Sequence, residues 1–268
     1  DIYEVLQGAN MVFIAAGMGG GTGTGAAPIV AKAAKDLGAL TVAIVTRPFS
    51  FEGERRRKNA IEGINALKEV VDAIIIVSND KLMMMNGTRP IGEAFAESDR
   101  VLAQSVKTIT DLIVVPGVIN LDFADVKATL QDKGLALIGF GTGSGPKKAN
   151  DAASSALLSP LLEASIHGAH SIIANVTCGN NVSLDEVKEA IDYITSAAGN
   201  TPNIIFGVQE NPELNDQMLI SIVATEFDND FDPFEEKTPL VNPLPTPQVE
   251  EEVEEDEEDS ILPEFLNK

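Results

Sequence analysis

The sequence is poor in the residue types that build disulfide frameworks and metal sites. Its 268 residues include one cysteine, two histidines, two tyrosines and no tryptophan. The single cysteine, Cys178, lies in an apolar stretch, so a disulfide framework is excluded and a buried thiol in a reducing cytoplasm is expected. His167 and His170 lack partners at metal-ligand spacing and are expected to be structural or surface residues.

Basic residues are also scarce, which argues against nucleic acid as a partner. The chain has 19 Lys and Arg against 41 Asp and Glu, a net charge of −22. Residues 226–259 hold fifteen acids and one lysine and so carry −14 of that total, which leaves −8 for the rest. A mildly acidic body lacks the basic surface that binds phosphate backbones, so no nucleic-acid binding is expected.

Long hydrophobic runs are missing as well. No apolar segment is long enough to cross a bilayer as a helix, and no signal peptide is apparent, so direct membrane insertion is not expected. The length nevertheless allows a sizeable core and two domains.

The most informative stretch is a glycine string, GMGGGTGTG, at residues 17–25. It follows an apolar run at 11–16, predicted to be a buried strand, and precedes a predicted helix at 26–35. Bare backbone N–H groups between a strand and a helix N-terminus form an anion site. The predicted phosphate-binding residues are Gly17, Gly19, Gly20, Gly21, Thr22, Gly23 and Thr24.

Two common nucleotide motifs can be compared with this string. The P-loop requires a lysine where Ala26 stands, so that motif is excluded. The dinucleotide pattern G-x-G-x-x-A fits Gly21, Gly23 and Ala26, and Arg47 at a strand end could bind a 2′-phosphate. An NADP-dependent oxidoreductase therefore remains an alternative.

The string GGGTGTG at 19–25 resembles the signature of the tubulin/FtsZ GTPase family. PFSFEG at 48–53, PGVINLDFADV at 116–126 and SPLL at 159–162 are similar to the bacterial FtsZ branch. The resemblance runs from Gly8 to Leu266. Because the family has strands that precede this part, the chain is expected to be N-terminally truncated.

The resemblance implies an α/β architecture in five segments. They are a partial Rossmann-type GTP-binding domain at 1–90, a long central helix at 91–113, an α+β domain at 114–227, a disordered acidic linker at 228–259 and a partner-binding peptide at 260–268. The apolar patterns predict further strands at 40–45, 73–77, 134–145, 171–177, 204–208 and 218–225. The resemblance implies a turn at 79–81.

The resemblance also implies a guanine nucleotide, GTP or GDP, with Mg²⁺ that no side chain ligates directly. Glu52 and Arg56 would contact its sugar and phosphates, and Asn79 its base side. Phe95 would pack on the base, and Asp99 would accept from the guanine N1–H and amino group, a donor pair that adenine lacks. Without the resemblance, Glu52 and Arg56 are better explained as an i,i+4 charge pair at a helix start.

A second implied site is the loop that carries Asn120, Asp122 and Asp125. Asp122 is suited to cap the following helix, but capping leaves Asn120 and Asp125 without an explanation. The resemblance implies that all three enter the site of the next subunit and activate the attacking water.

The C-terminal peptide, with Ile261, Leu262, Pro263, Phe265 and Leu266, resembles a motif that docks on membrane-tethering division proteins. The resemblance therefore implies a GTPase, active only on assembly, that polymerises head to tail into the bacterial division ring in the cytoplasm. A nucleotide-dependent scaffold without turnover is a further alternative.

Overall fold

The computed structural model describes residues 1–86, 90–162, 165–199 and 201–227. The predicted acidic linker and C-terminal peptide lie outside these residues. The described residues form a seven-stranded sheet in the order β1-β2-β3-β4-β7-β5-β6. The strands are β1 Met11–Gly17, β2 Leu40–Arg47, β3 Ala73–Ser78, β4 Gly134–Ser144, β5 Ala169–Cys178, β6 Asn203–Glu210 and β7 Gln217–Phe227.

Helices connect and cover these strands. They are α1 Ile2–Leu6, α2 Thr22–Asp36, α3 Glu54–Lys68, α4 Asn79–Asn86, α5 Ile91–Val114, α6 Phe123–Leu130, α7 Lys148–Leu157 and α8 Leu184–Ala198. Short 3-10 turns span Ser50–Glu52, Gly145–Lys147 and Pro212–Leu214. Strands β1 to β4 are parallel, whereas β7 runs antiparallel between β4 and β5.

Two apolar clusters hold the sheet and helices together. In one, Leu112 of α5 and Leu130 of α6 pack with residues of β2, β3 and β4. In the other, α7 and α8 pack on β5 and β7. Strand β2 is buried at all but its last residue, as parallel strands covered on both faces usually are. The two halves of the sheet meet where Ala73–Ile75 of β3 pair with residues 134–136 of β4.

The predicted fold class is confirmed, and the predicted strands differ from the observed ones by no more than two residues at either end. Two local predictions were wrong. Helix α2 begins at Thr22, inside the glycine string, because a first helical turn needs no internal N–H partners and therefore tolerates glycine. Residues 79–81 form the first turn of α4 and not an isolated turn. The five-segment domain division stays a prediction. No helix in the described part of the chain is long and apolar enough to cross a membrane.

Candidate functional site

Three parallel strands end side by side at one edge of the sheet. In the strand register Gly17 of β1 lies opposite Thr46, and Arg47 of β2 lies opposite Ser78 at the end of β3. Ligands of open α/β sheets bind beyond this carboxyl edge. The glycine string follows β1, the 3-10 turn at Ser50–Glu52 follows β2, and α4 follows β3, so the topology brings three predicted nucleotide segments to one edge.

The glycine loop is fixed by two hydrogen bonds that its backbone amides donate. The Met18 amide donates to the Thr46 carbonyl oxygen at 3.0 Å. The Gly19 amide donates to the Thr24 hydroxyl oxygen at 2.9 Å. Thr24 therefore has a structural role that the sequence did not reveal, whereas Thr22 at the helix start is exposed.

Four glycines of the string differ in the space that a Cβ atom would find there. Gly19 has a φ of +102°, and a Cβ there would lie 2.7 Å from the Arg56 carbonyl oxygen. A Cβ at Gly23 would lie 2.4 Å from the Gly17 carbonyl oxygen. At Gly20 and Gly21 a Cβ would meet no heavy atom within 4 Å. The fold therefore requires glycine at Gly19 and Gly23 but not at Gly20 and Gly21.

Gly20 and Gly21 leave space directly in front of a helix N-terminus. Gly21 is the N-cap of α2, and no side chain makes a capping hydrogen bond there. The first-turn N–H groups and the positive end of the helix dipole are therefore available to an oxyanion. A phosphate group fits the open space and the donors that border it.

An aromatic cluster lies next to the glycine loop. Phe49 is buried, stacks on Phe51 with ring centroids 5.0 Å apart, and meets Phe95 of α5 edge-on, also at 5.0 Å. Phe51 and Phe95 are 58% and 41% exposed, which leaves aromatic surface for a planar ligand. Asp99 lies one helical turn after Phe95 and is exposed. The sequence analysis missed Phe51, although it lies inside the PFSFEG string.

Glu52 and Arg56 form the ion pair that the structural alternative predicts. One carboxylate oxygen of Glu52 accepts from the Phe49 amide at 3.0 Å, and the other binds the Arg56 guanidinium. The Glu52 side chain is mostly buried, and that of Arg56 is 57% exposed. The Arg56 carbonyl oxygen also faces Gly19, so the pair borders the glycine loop.

The segment after β3 is fastened to its neighbours. Asn79 is buried, and its Oδ1 accepts from the Ser98 hydroxyl of α5 at 2.8 Å. Asp80 accepts from the Ser50 amide at 2.9 Å. These bonds join the ends of β2 and β3 to the start of α5, and neither Ser98 nor Asp80 was identified from the sequence.

The asparagine–aspartate loop has internal partners for all three predicted residues. Asn120 accepts from the Gly117 amide at 2.6 Å and donates to the Gly117 carbonyl oxygen at 3.2 Å. Asp122 accepts from the Asp125 amide at 2.8 Å, and Asp125 from the Asp122 amide at 3.4 Å. The two aspartates form a reciprocal capping box, so the expectation that capping explains only Asp122 was wrong. All three side chains remain exposed.

This loop contacts β6, where the amides of Val118 and Ile119 donate to the Val208 carbonyl oxygen at 2.8 Å and 3.2 Å. It follows α5, whose 24 residues span about 36 Å. It leads into α6, and the amides of Lys133 and Gly134 just beyond α6 donate to the carbonyl oxygen of Asp72, which precedes β3. Because Phe95 lies near the start of α5 and the loop follows its end, most of the length of α5 separates the loop from Phe95 of the same chain.

No three His, Cys, Asp or Glu side chains come together as a metal site in the part of the chain that the structure describes. Mg²⁺ prefers oxygen ligands and commonly binds through nucleotide phosphates and water. The residues present are compatible with a metal held in that way.

Two parts of the chain match models of known protein families. Residues 1–87 match the model of the Tubulin/FtsZ family, GTPase domain, and residues 134–228 match that of the FtsZ family, C-terminal domain. An empty FtsZ dimer of M. jannaschii is 42% identical with a TM-score of 0.80, and the match covers 84% of this chain and 65% of that one. A mutant FtsZ of the same organism is 41% identical with a TM-score of 0.80, and the match covers 84% and 68%.

A more distant structure shares the fold. CetZ1 of Haloferax volcanii, a GDP-bound monomer, is 19% identical with a TM-score of 0.66, and the match covers 82% of this chain and 66% of that one. The chain thus spans about two thirds of the length of these structures. The model that matches residues 1–87 describes a GTPase domain, which disfavours the oxidoreductase alternative.

Proposed function

The chain belongs to the FtsZ family of tubulin-like GTPases, and on that premise we propose that it hydrolyses GTP as it assembles head to tail into filaments of a division ring. The observation that carries this proposal is the open space at Gly20 and Gly21. The fold needs no glycine at either position, so the missing side chains are best explained by a phosphate that approaches the backbone.

Within the nucleotide site each segment has a separate task. The amides around Gly20 and Gly21 and the hydroxyl of Thr22 hold the phosphates. The exposed faces of Phe95 and Phe51 pack on the base, and Asp99 selects guanine because a carboxylate only accepts hydrogen bonds. Arg56 is exposed enough to reach a phosphate. A bound Mg²⁺ would neutralise charge on the phosphate oxygens.

Hydrolysis is completed by a second subunit. Asp122 and Asp125 are exposed beyond the far end of α5 from Phe95, so they act on the nucleotide of a neighbouring copy. Their carboxylates orient the attacking water and accept its proton. Asn120 holds the turn that presents them. A contact of this kind joins two different surfaces and repeats along a filament, and the M. jannaschii relative is itself described as a dimer.

The test compares an Asp125→Asn variant with the unmodified protein. Asparagine can still accept from the Asp122 amide, so the capping box persists while the charge is lost. We expect GTP binding and filaments to persist and phosphate release to fall about 100-fold or more, the scale of general-base catalysis. Asp185→Asn is the matched control, because Asp185 is another exposed acid in a first helical turn, that of α8.

Protein concentration provides the second half of the test. Phosphate release should be low below the assembly threshold and rise above it. A mixture of Gly21→Ala and Asp125→Asn proteins should regain part of the activity, because some junctions then have an intact loop and intact aspartates. Activity that is independent of concentration would place catalysis within one subunit. Filaments without phosphate release would favour the scaffold alternative.

The C-terminal residues Ile261, Leu262, Pro263, Phe265 and Leu266 are proposed to bind membrane-tethering division proteins, which would bring the filaments to the division site in the cytoplasm. Truncation after Asp259 should leave phosphate release unchanged and remove binding to such a protein in a pull-down. Retained binding would contradict this assignment.

A further inference from the structure

A buried carboxylate connects the glycine-loop helix to the helix that carries the aspartate loop. Asp72 lies just before β3, and its side chain is only 2% exposed. One carboxylate oxygen accepts from the Thr41 amide at 2.8 Å, and the other accepts from the Lys35 ammonium at 2.5 Å and from the Asp132 amide at 3.2 Å. One side chain therefore joins α2, β2 and the turn after α6.

The backbone of Asp72 adds to the same junction. Its carbonyl oxygen accepts from the amides of Lys133 and Gly134, both at 2.9 Å. Lys35 also pairs with the Asp132 carboxylate at 2.8 Å. Burial by itself would lower the pKa of Lys35, but the hydrogen bonds to Asp132 and Asp72 raise it, so the ammonium stays charged.

The turn after α6 takes its conformation from these contacts. Asp132 has a φ of +56°, a left-handed conformation that residues other than glycine adopt only where their surroundings impose it. On the other side of the turn, the buried Thr225 hydroxyl of β7 donates to the carbonyl oxygen of Thr129 in α6 at 2.9 Å. The carboxyl end of α6 is thus held from both halves of the sheet.

The two helices joined in this way carry the two parts of the proposed catalytic apparatus. Helix α2 begins in the glycine loop at Thr22 and has Lys35 in its last turn, about 20 Å further along the helix axis. Helix α6 begins with the capping box of Asp122 and Asp125 and ends beside Asp132. A change in the tilt of α6 would move the two aspartates. Such a movement would lower the rate of hydrolysis, because catalytic groups tolerate little displacement.

We propose that Lys35 and Asp72 are positioning residues for hydrolysis, which fix α6, and hence Asp122 and Asp125, relative to the helix that binds the phosphates. This inference rests on the proposed function. In a filament, each subunit then carries a rigid connection from its own nucleotide edge to the aspartates that it presents to the next nucleotide.

The test uses Lys35→Met, because Lys35 is partly exposed and its loss leaves the buried Asp72 with its two backbone donors. GTP affinity and phosphate release per assembled subunit are measured separately. We expect at least a fivefold loss of turnover per assembled subunit with nucleotide affinity within twofold of the unmodified protein. Lys35→Arg, which retains the charge and can donate to both carboxylates, should restore turnover to within twofold.

Lys133→Met is the matched control. It removes the same charge at the same sheet edge, but its ion pair, at 2.7 Å, is to Glu226 at the end of β7 and not to α2. We expect turnover per assembled subunit within twofold of the unmodified protein. Equal losses in the two methionine variants would overturn the inference, since any loss of stability or charge at this edge would then suffice.

Two further results would overturn it: unchanged turnover in Lys35→Met, or a turnover loss matched by an equal loss of nucleotide affinity. Failure of the proposed function has a different signature. In that case the unmodified protein itself would release no phosphate at any concentration above the assembly threshold.

Discussion

One methyl group at Gly21 should weaken nucleotide binding at least tenfold without weakening the fold. Gly21 has φ −85° and ψ −56°, which alanine adopts without strain, and the added Cβ meets no atom within 4 Å. Alanine restricts the unfolded chain, so the free energy of unfolding should stay the same or rise by about 0.4–1 kcal/mol. In the complex the methyl group would take the space that a phosphate needs. We expect the Kd for GTP to rise at least tenfold, or about 1.4 kcal/mol.

The same substitution at Gly23 should act in the opposite way on stability. There the Cβ would lie 2.4 Å from the Gly17 carbonyl oxygen, and backbone must move to admit it. Overpacking of this kind costs about 1–3 kcal/mol, and the gain from alanine inside a helix offsets about 0.5–1 kcal/mol. A net loss of about 1–2 kcal/mol should lower the melting temperature by roughly 2–4 °C per kcal/mol.

Two measurements on each variant separate an effect on stability from an effect on GTP binding. Thermal unfolding followed by circular dichroism reports stability, and titration with a fluorescent GTP analogue reports affinity. A Gly21→Ala protein that binds GTP as tightly as the unmodified protein would refute the phosphate assignment. Equal destabilisation of the Gly21 and Gly23 variants would refute the division of the glycines into two kinds.

Two other predictions concern charged residues. Asp99→Asn should relax the preference for GTP over ATP in a competition titration, because the amide can donate where the carboxylate only accepts; an unaltered preference would mean that Asp99 does not face the base. Lys148 binds Glu186 at 2.9 Å and Asp216 at 2.7 Å. Hydrogen bonds from the Ser183 backbone and from Lys148 lower the pKa of Glu186, and Lys148 lowers that of Asp216. Because these carboxylates have lower pKa values in the folded protein than in the unfolded chain, they stabilise the fold above about pH 4.5. This stabilisation is lost as the pH falls further and the carboxylates are protonated. The Lys148→Met protein should therefore have a lower urea midpoint at pH 7, and its midpoint should fall less between pH 7 and pH 3.5. A midpoint that falls as much as that of the unmodified protein would show that Lys148 does not stabilise the charged carboxylates.

Local patterns were sufficient to locate the strands. Each strand is an apolar run that fits a buried or half-buried strand, so its position follows from residue types close together in the chain. The predicted start of α2 failed because glycine disfavours a helix in isolation, whereas at a helix N-terminus the cost is small. Local propensity does not distinguish a glycine inside a helix from one at its N-terminus, because the neighbouring strand and loop determine where the helix begins.

The aspartate loop shows a different limit. The spacing of Asp122 and Asp125 is that of a capping box, and the structure shows both carboxylates in that role. Capping and catalysis use the same residues at the same spacing, so the capping role neither requires nor excludes a catalytic one. The exposure of the carboxylates and their separation from Phe95 along α5 are properties of the folded chain, and these two properties favour action on a neighbour.

The sequence by itself indicated the order of the strands, which depends on short-range periodicity, and the glycine residues that could bind phosphate, while the fold class followed from the resemblance of its motifs to a known family. Only the tertiary structure decided which glycines the fold requires, since that depends on atoms such as the Arg56 carbonyl oxygen, far along the chain from Gly19. It alone also identified Asp72, an ordinary acid in the sequence, whose partners at Lys35, Thr41 and Asp132 meet it only when helices and strands from three parts of the chain converge on one buried carboxylate.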